Sequence, residues 1–167
     1  TYDLFEPLVL NEFQRLAAEV EAAFGPRTRF VVLNNPINPT GTVLPPEDLA
    51  LLAEVCIAHD AVAICDDVWE HVVFDGHRHQ PLMSRPGMRE RTVKIGSAGK
   101  IFGLTGWKLG WMCATPPIAR VLAKAHQYIT FTTPPNLQTA VAYGLGKDDG
   151  YFEGMRADFQ RSRDRFA

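Results

Sequence analysis

The sequence predicts an α/β fold: a mostly parallel sheet with helices on both faces. Three observations carry that expectation. Short, continuous apolar runs alternate with stretches of helical period, the pattern of doubly buried strands joined by crossover helices. Each of the first three runs empties into a polar loop, as strands do at the ligand-binding edge of such sheets. The composition, 46% hydrophobic and 22% charged, is that of an ordinary globular chain.

The elements follow in order. Residues 9–24 place Leu10, Phe13, Leu16, Ala17, Val20 and Phe24 at helical spacing, and Gly25-Pro26 ends that helix. Phe30-Val31-Val32-Leu33 reads as a first strand, running into the turn-rich loop Asn34–Gly41. Residues 46–59 read as a helix, because Pro46 suits a first turn and Leu49, Leu52, Val55 and Cys56 share a face. Ala61-Val62-Ala63-Ile64-Cys65 is a second strand ending at Asp66-Asp67. A mixed stretch, 68–90, is rich in His, Pro and Gly. Thr92–Ile95 is a third strand, followed by the loop Gly96–Lys100. Leu109–Ala114 is a fourth. Pro116-Pro117 opens a helix to about residue 129, Pro134-Pro135 opens another to about 146, and a last amphipathic helix starts near Gly150.

The 167 residues fit one domain with a real core. A net charge of −2 argues against nucleic acid as a partner. No apolar run approaches the roughly 20 residues that cross a bilayer, so no membrane segment is expected. Thr1–Glu6 lacks the basic region of a signal peptide. The chain does not start with Met and closes inside a helical pattern, so both ends are expected to be cut. Cys56, Cys65 and Cys113 form no CxxC pair, which suits reduced thiols in a cytoplasmic protein.

Three strand-end loops present Asn38, Asp66 and Lys100. Taken singly they are a turn residue, a cap and a solvated lysine. Together they are harder to dismiss. Ser97-Ala98-Gly99-Lys100 and Gly103-Leu104-Thr105-Gly106-Trp107-Lys108 combine small residues, hydroxyls and two lysines, a composition that can cradle a phosphate. Walker A geometry is excluded, since Lys94 and Ile101 occupy positions that motif reserves for Gly and Ser or Thr. An unrelated nucleotide-phosphate binder built on Ser97–Lys108 is the alternative from another class. His77 and His79 form an HxH pair with no third ligand in view, so no metal site is expected. His71 and His126 read as packed or surface residues, and Trp107 and Trp111 as core. Arg156, Arg161, Arg163 and Arg165 read as a solvated helix face.

Four motifs in order give the sequence its resemblance. Asn35-Pro36-Ile37-Asn38-Pro39-Thr40-Gly41, Asp66-Asp67-Val68-Trp69-Glu70-His71, Ser97-Ala98-Gly99-Lys100 and Gly106-Trp107-Lys108-Leu109-Gly110-Trp111 resemble those of class I/II aminotransferases. These are fold-type I enzymes dependent on pyridoxal 5′-phosphate (PLP). The likeness is nearest the branch of aromatic, kynurenine and methionine aminotransferases and runs from about Leu16 to Ala167.

The resemblance implies a partial large domain over 1–147 and, over 148–167, the start of the helix leading to a C-terminal minor domain. It assigns Lys100 the covalent link to PLP and the movement of the substrate α-proton. It puts Asp66 opposite the pyridine nitrogen, which a carboxylate keeps protonated. Asn38 would donate to the phenolic oxygen, Val68 would pack on the ring, and Ser97 and Lys108 would meet the phosphate. Trp69 stands where the family usually has a Tyr that also contacts the phenolic oxygen. Its indole donates a hydrogen bond and cannot accept one. The implied partners are an amino acid and a 2-oxo acid, with a homodimer for the whole enzyme. A remnant that is non-catalytic or binds PLP weakly, and a carbon–sulfur β-lyase of the same fold, are the alternatives the resemblance leaves open. The family's other phosphate loop and its carboxylate-gripping arginine lie in segments not represented here.

Overall fold

The computed structural model describes residues 18–166. The first predicted helix is seen only over its last turns, as helical residues 18–23, and Leu10, Phe13, Leu16 and Ala17 lie outside the described residues.

Four strands form one sheet in the order β1-β2-β3-β4: β1 Phe30–Asn34, β2 Val62–Asp66, β3 Thr92–Ser97 and β4 Gly110–Cys113. The first three pair in parallel and β4 joins antiparallel, so the sheet is mostly parallel, as expected. The register sets Asn34 beside Asp66, Asp66 beside Ile95 and Ser97 beside Gly110. It therefore brings three sequence-distant polar ends to one edge.

Helix α1, Pro46–Ala58, crosses from β1 to β2. Pro46 opens it, and Glu47 and Asp48 lie in its first turn, where the helix dipole favours acidic groups. It buries Leu49, Ala53, Val55 and Cys56. Leu49, Ala53 and Cys56 pack with Ala63, Cys65, Leu82 and Met88 into the main core, with Val31 and Leu33 against them. Period-two alternation explains the choice: Val31, Leu33, Ala63 and Cys65 point to that side, and Phe30, Val32 and Ile64 to the other.

On that other side the expectation of double cover is only half met. Among the described residues Phe30 is 65% and Val32 75% exposed. Among the described residues, α1 covers one face of β1 and β2, and none covers Phe30 and Val32 on the other.

The predicted loop Gly96–Lys100 is corrected. Gly96 and Ser97 complete β3, and Ala98–Ile101 wind into a single helical turn, α2. Ala98 and Ile101 are buried, which fixes that turn. Ala98 shares a second small core with Leu109 and Val141, flanked by Phe102, Trp111 and Leu137. Gly96 is required here by close approach: a Cβ on it would stand 2.3 Å from the Trp111 ring.

Helices α3 (Pro116–Ile129), α4 (Pro135–Leu145) and α5 (Asp149–Phe166) complete the chain within two residues of their expected bounds. Trp111 is part of the core, as expected; Trp107 is exposed, because it sits on a short 3-10 turn before β4 rather than in the strand.

Candidate active site

Five of the residues singled out in the sequence line one cavity of about 690 Å³: Asp66, Val68, Ser97, Lys100 and Lys108. Its floor is the open face of the sheet, with Val32, Ile64 and Ile95. Asp66 comes from the last position of β2, Ser97 from the last of β3, and Lys100 from the turn α2. Lys108 takes a left-handed conformation, φ 52°, at the end of the turn before β4. Thr105 adds a wall and donates its hydroxyl to the Gly99 carbonyl at 3.1 Å, which ties the two halves of the small-residue loop together.

The main chain of Asp66 is tightly held. Its carbonyl accepts from Asn35 N at 3.2 Å and from Asn34 Nδ2 at 3.3 Å. Its side chain is not: Asp66 Oδ1 is buried and meets no hydrogen-bond partner among the described residues. A buried, unmatched carboxylate oxygen costs roughly 1–3 kcal/mol or more, and a ligand donor would relieve that cost. A protonated pyridine nitrogen is such a donor. Together with an amine, a hydroxyl and a second cation lining the same cavity, the residues fit PLP.

The remaining two predicted residues stand elsewhere. Asn38 and Trp69 line an adjoining cavity of about 560 Å³, with Thr40, Phe74, Asp75, His77 and Arg163. Asn38 is exposed, and its backbone N donates to Asn34 Oδ1 at 2.7 Å. Trp69 is the link between the two spaces, because the Lys100 amine lies over its ring, 4.9 Å from the centroid. That is a cation–π contact. The indole thus meets the lysine with its face.

Several residues gained partners that the linear pattern did not reveal. His79 lies in the loop, as the polar pattern implied, but its side chain is buried: its Nε2 is 3.3 Å from Asp67 Oδ2, with the two side chains 4% and 1% exposed. The contact lies within ion-pair reach but off the line of a well-formed hydrogen bond. His77 faces the second cavity instead, so the HxH pair does not converge. His71 stacks on Phe152 of α5 at 4.4 Å, and burial is the main cause that lowers its pKa. Beside it, Lys94 pairs with Glu70. Arg163, read as solvated, clasps Asp75 with two nitrogens at 2.5 and 2.7 Å and lies over the Phe74 ring. The alternation of strand faces was the signal for Asp67, since consecutive strand residues point oppositely.

Comparison with known proteins agrees with this geometry. Residues 3–167 match the family described as aminotransferase class I and II. A probable N-succinyldiaminopimelate aminotransferase DapC of Mycobacterium tuberculosis is 42% identical over 151 residues, covering 90% of this chain and 38% of that protein. Kynurenine–oxoglutarate transaminase 1 of Rattus norvegicus is 43% identical over 142 residues, covering 85% and 34%. The solved structure of the M. tuberculosis N-succinyldiaminopimelate aminotransferase superposes with a TM-score of 0.86 at 42% identity, over 89% of this chain and 39% of that one. The chain therefore spans well under half the length of these relatives. Both relatives are named as amino-group transferring enzymes. The class is PLP-dependent. With its four motifs in order, a fold-type I sheet and this extent of similarity, the chain belongs to the class I and II aminotransferase family.

Proposed function

We propose that this chain is the cofactor-anchoring part of a PLP-dependent transaminase acting between an amino acid and a 2-oxo acid. The observation that carries the reading is the convergence of Lys100, Ser97 and Lys108 around the unmatched, buried Oδ1 of Asp66 in one cavity.

PLP, when bound, supplies an electron sink for the bonds at the substrate α-carbon. The chain's residues supply the rest. Lys100 holds the cofactor covalently and carries a proton to and from that α-carbon. Asp66 accepts the pyridine N–H in a buried position, where charge-assisted hydrogen bonds are strong. Ser97 and Lys108 bind the phosphate, Lys108 as a point charge. Val68 bounds the ring. Trp69 orients the Lys100 amine through its ring face, and the donors the resemblance gives to the phenolic oxygen, Asn38 and Trp69, border the adjoining cavity.

In this reading residues 1–147 are part of the large domain and 148–167 begin the helix toward the minor domain. The cysteines Cys56, Cys65 and Cys113 are free, in keeping with a cytoplasmic enzyme. Tyr128, Ile129 and Phe131 at the end of α3 are exposed apolar groups, in keeping with a homodimer of the whole enzyme. Among the described residues no helix is long and apolar enough to cross a membrane.

The test is a PLP titration of the chain, followed by borohydride and peptide mass spectrometry, repeated on Lys100→Ala. The expected result is a new absorbance band and a fixed adduct on Lys100, both lost in the variant. An adduct on another lysine, or the same band from both proteins, sinks the assignment.

A further inference from the structure

Asn35, His79 and Asp67 form a buried polar chain that the reaction above does not use. It begins at a backbone group. Leu44 N donates to Asn35 Oδ1 at 3.0 Å, and this fixes which way the Asn35 amide faces. Asn35 Nδ2, a donor only, is then left at 3.4 Å from His79 Nδ1. A donor opposite Nδ1 requires that Nδ1 be unprotonated and accept. The ring proton must therefore sit on Nε2, the nitrogen that faces Asp67 Oδ2 at 3.3 Å. Donor and acceptor order runs one way through the two hydrogen bonds, Leu44 N–H to Asn35 and Asn35 to His79, and the series ends in the 3.3 Å ion-pair contact with the Asp67 carboxylate. A doubly protonated ring would set an N–H against the Asn35 amide hydrogens, a donor–donor clash in a buried place.

The three residues come from three separate segments: Asn35 directly after β1, Asp67 directly after β2, and His79 from the loop that leads to β3. Each of the first two adjoins a residue of the candidate site. Asn35 N holds the Asp66 carbonyl, and Asp67 N donates to Ile95 O at 3.1 Å on β3. Locking Asn35 to Asp67 through His79 thus clamps the ends of β1, β2 and β3 in one register. Nearby charge comes from the Lys94–Glu70 pair, while burial favours the neutral forms of His71 and Cys65.

We propose that His79 is a positioning residue: as the neutral Nε2–H form selected by Asn35, it bridges to Asp67 and holds the Asp66 carboxylate in place for the cofactor ring. The inference rests on the PLP reading of Asp66. His79 itself touches neither cofactor nor substrate.

The experiment has two arms. Long-range 15N–1H NMR on the labelled chain at pH 7 reads the His79 ring without any cofactor. An Nδ1 resonance of the unprotonated type with a protonated Nε2 is expected; two protonated nitrogens, or an Nδ1–H ring, overturn the proposal. PLP titration of His79→Leu and His79→Gln forms the other arm. Gln offers one acceptor and one donor and so reproduces the neutral form, whereas it cannot carry a charge. His79→Leu should bind PLP roughly tenfold more weakly and with a displaced absorbance band, while His79→Gln stays within about threefold of the parent. Equal loss in both variants, or no loss in His79→Leu, overturns the positioning role alone. Should His79→Leu not fold, the NMR arm and His79→Gln still decide. A parent chain that binds no PLP overturns the PLP reading and this inference with it.

Discussion

The two faces of the sheet are built for opposite purposes from the same strands. Under α1, Ala63 and Cys65 of β2 lie in a sealed core with Leu49, Ala53 and Cys56. Even the polar groups on that side are matched or buried in pairs: Thr92 Oγ1 donates to Met88 O at 2.7 Å, and Asp67 faces His79. On the other face Val32 is exposed and Ile64 lines an open cavity with Asp66. Asp66 and Asp67 show the division most sharply. They are adjacent in sequence, yet one carboxylate serves the ligand side and the other the structural side. A strand delivers alternate residues to opposite faces, so one short segment can stabilise and bind at once.

The comparison breaks most easily at its largest contrast. Leu49→Ala on the sealed side should cost about 2–5 kcal/mol in denaturant unfolding, against under about 0.5 for Val32→Ala on the open side. Equal losses would mean the open face is not open in solution. Next is Gly96→Ala, whose Cβ meets the Trp111 ring; we expect roughly 1–3 kcal/mol of destabilisation. A neutral result would show that Trp111 swings aside freely.

The carboxylates give a third contrast. Asp67→Asn should lose about 1–3 kcal/mol by breaking a buried contact, whereas Asp66→Asn should leave stability within about 0.5 kcal/mol and instead weaken PLP binding. The reverse pattern would exchange the roles assigned to them. Thiol reactivity is a fourth. Burial pushes the Cys65 thiol up to about 12, while Cys113 is exposed, so iodoacetamide at pH 8 should label Cys113 well before Cys65. Prior labelling of Cys65 would contradict a sealed core.

The smallest effect is expected at α5. Hydrogen bonds donated by Arg163 of that helix hold the Asp75 carboxyl below its ordinary value of 3.8. A lowered folded-state pKa contributes stability that is complete above 3.8 and is lost as pH falls through the lower folded value. NMR titration of Arg163→Gln should show Asp75 returning toward its ordinary range; an unmoved titration would remove the clasp.

Much was legible in the chain. Helices α3 and α4 opened at the Pro pairs that marked them, because proline fixes φ at a helix start whatever the surroundings. Lys100, Asp66, Ser97 and Lys108 could be picked by residue type and order, and they meet in one cavity. The turn α2 was not legible, since a four-residue segment is too short to show a period; burial of Ala98 and Ile101 decides it. The burial of the His79 side chain was not legible for a similar reason. Its neighbours along the chain are polar, but Asn35, its partner, is 44 residues away.

By itself the sequence determined the strand and helix order, the family motifs and the residue types able to hold a phosphate, a ring nitrogen and a covalent link. These depend on local dihedral preference, on period and on side-chain chemistry, all carried by short segments. Only the tertiary structure decided which face is left uncovered by the described residues, that Asn38 and Trp69 line a second cavity, and that Asp67 stands in ion-pair reach of His79 while Asp66 Oδ1 turns toward the cavity with no hydrogen-bond partner. Those outcomes depend on register and on contacts between distant segments, where packing, not local preference, sets the balance of burial and hydrogen bonding.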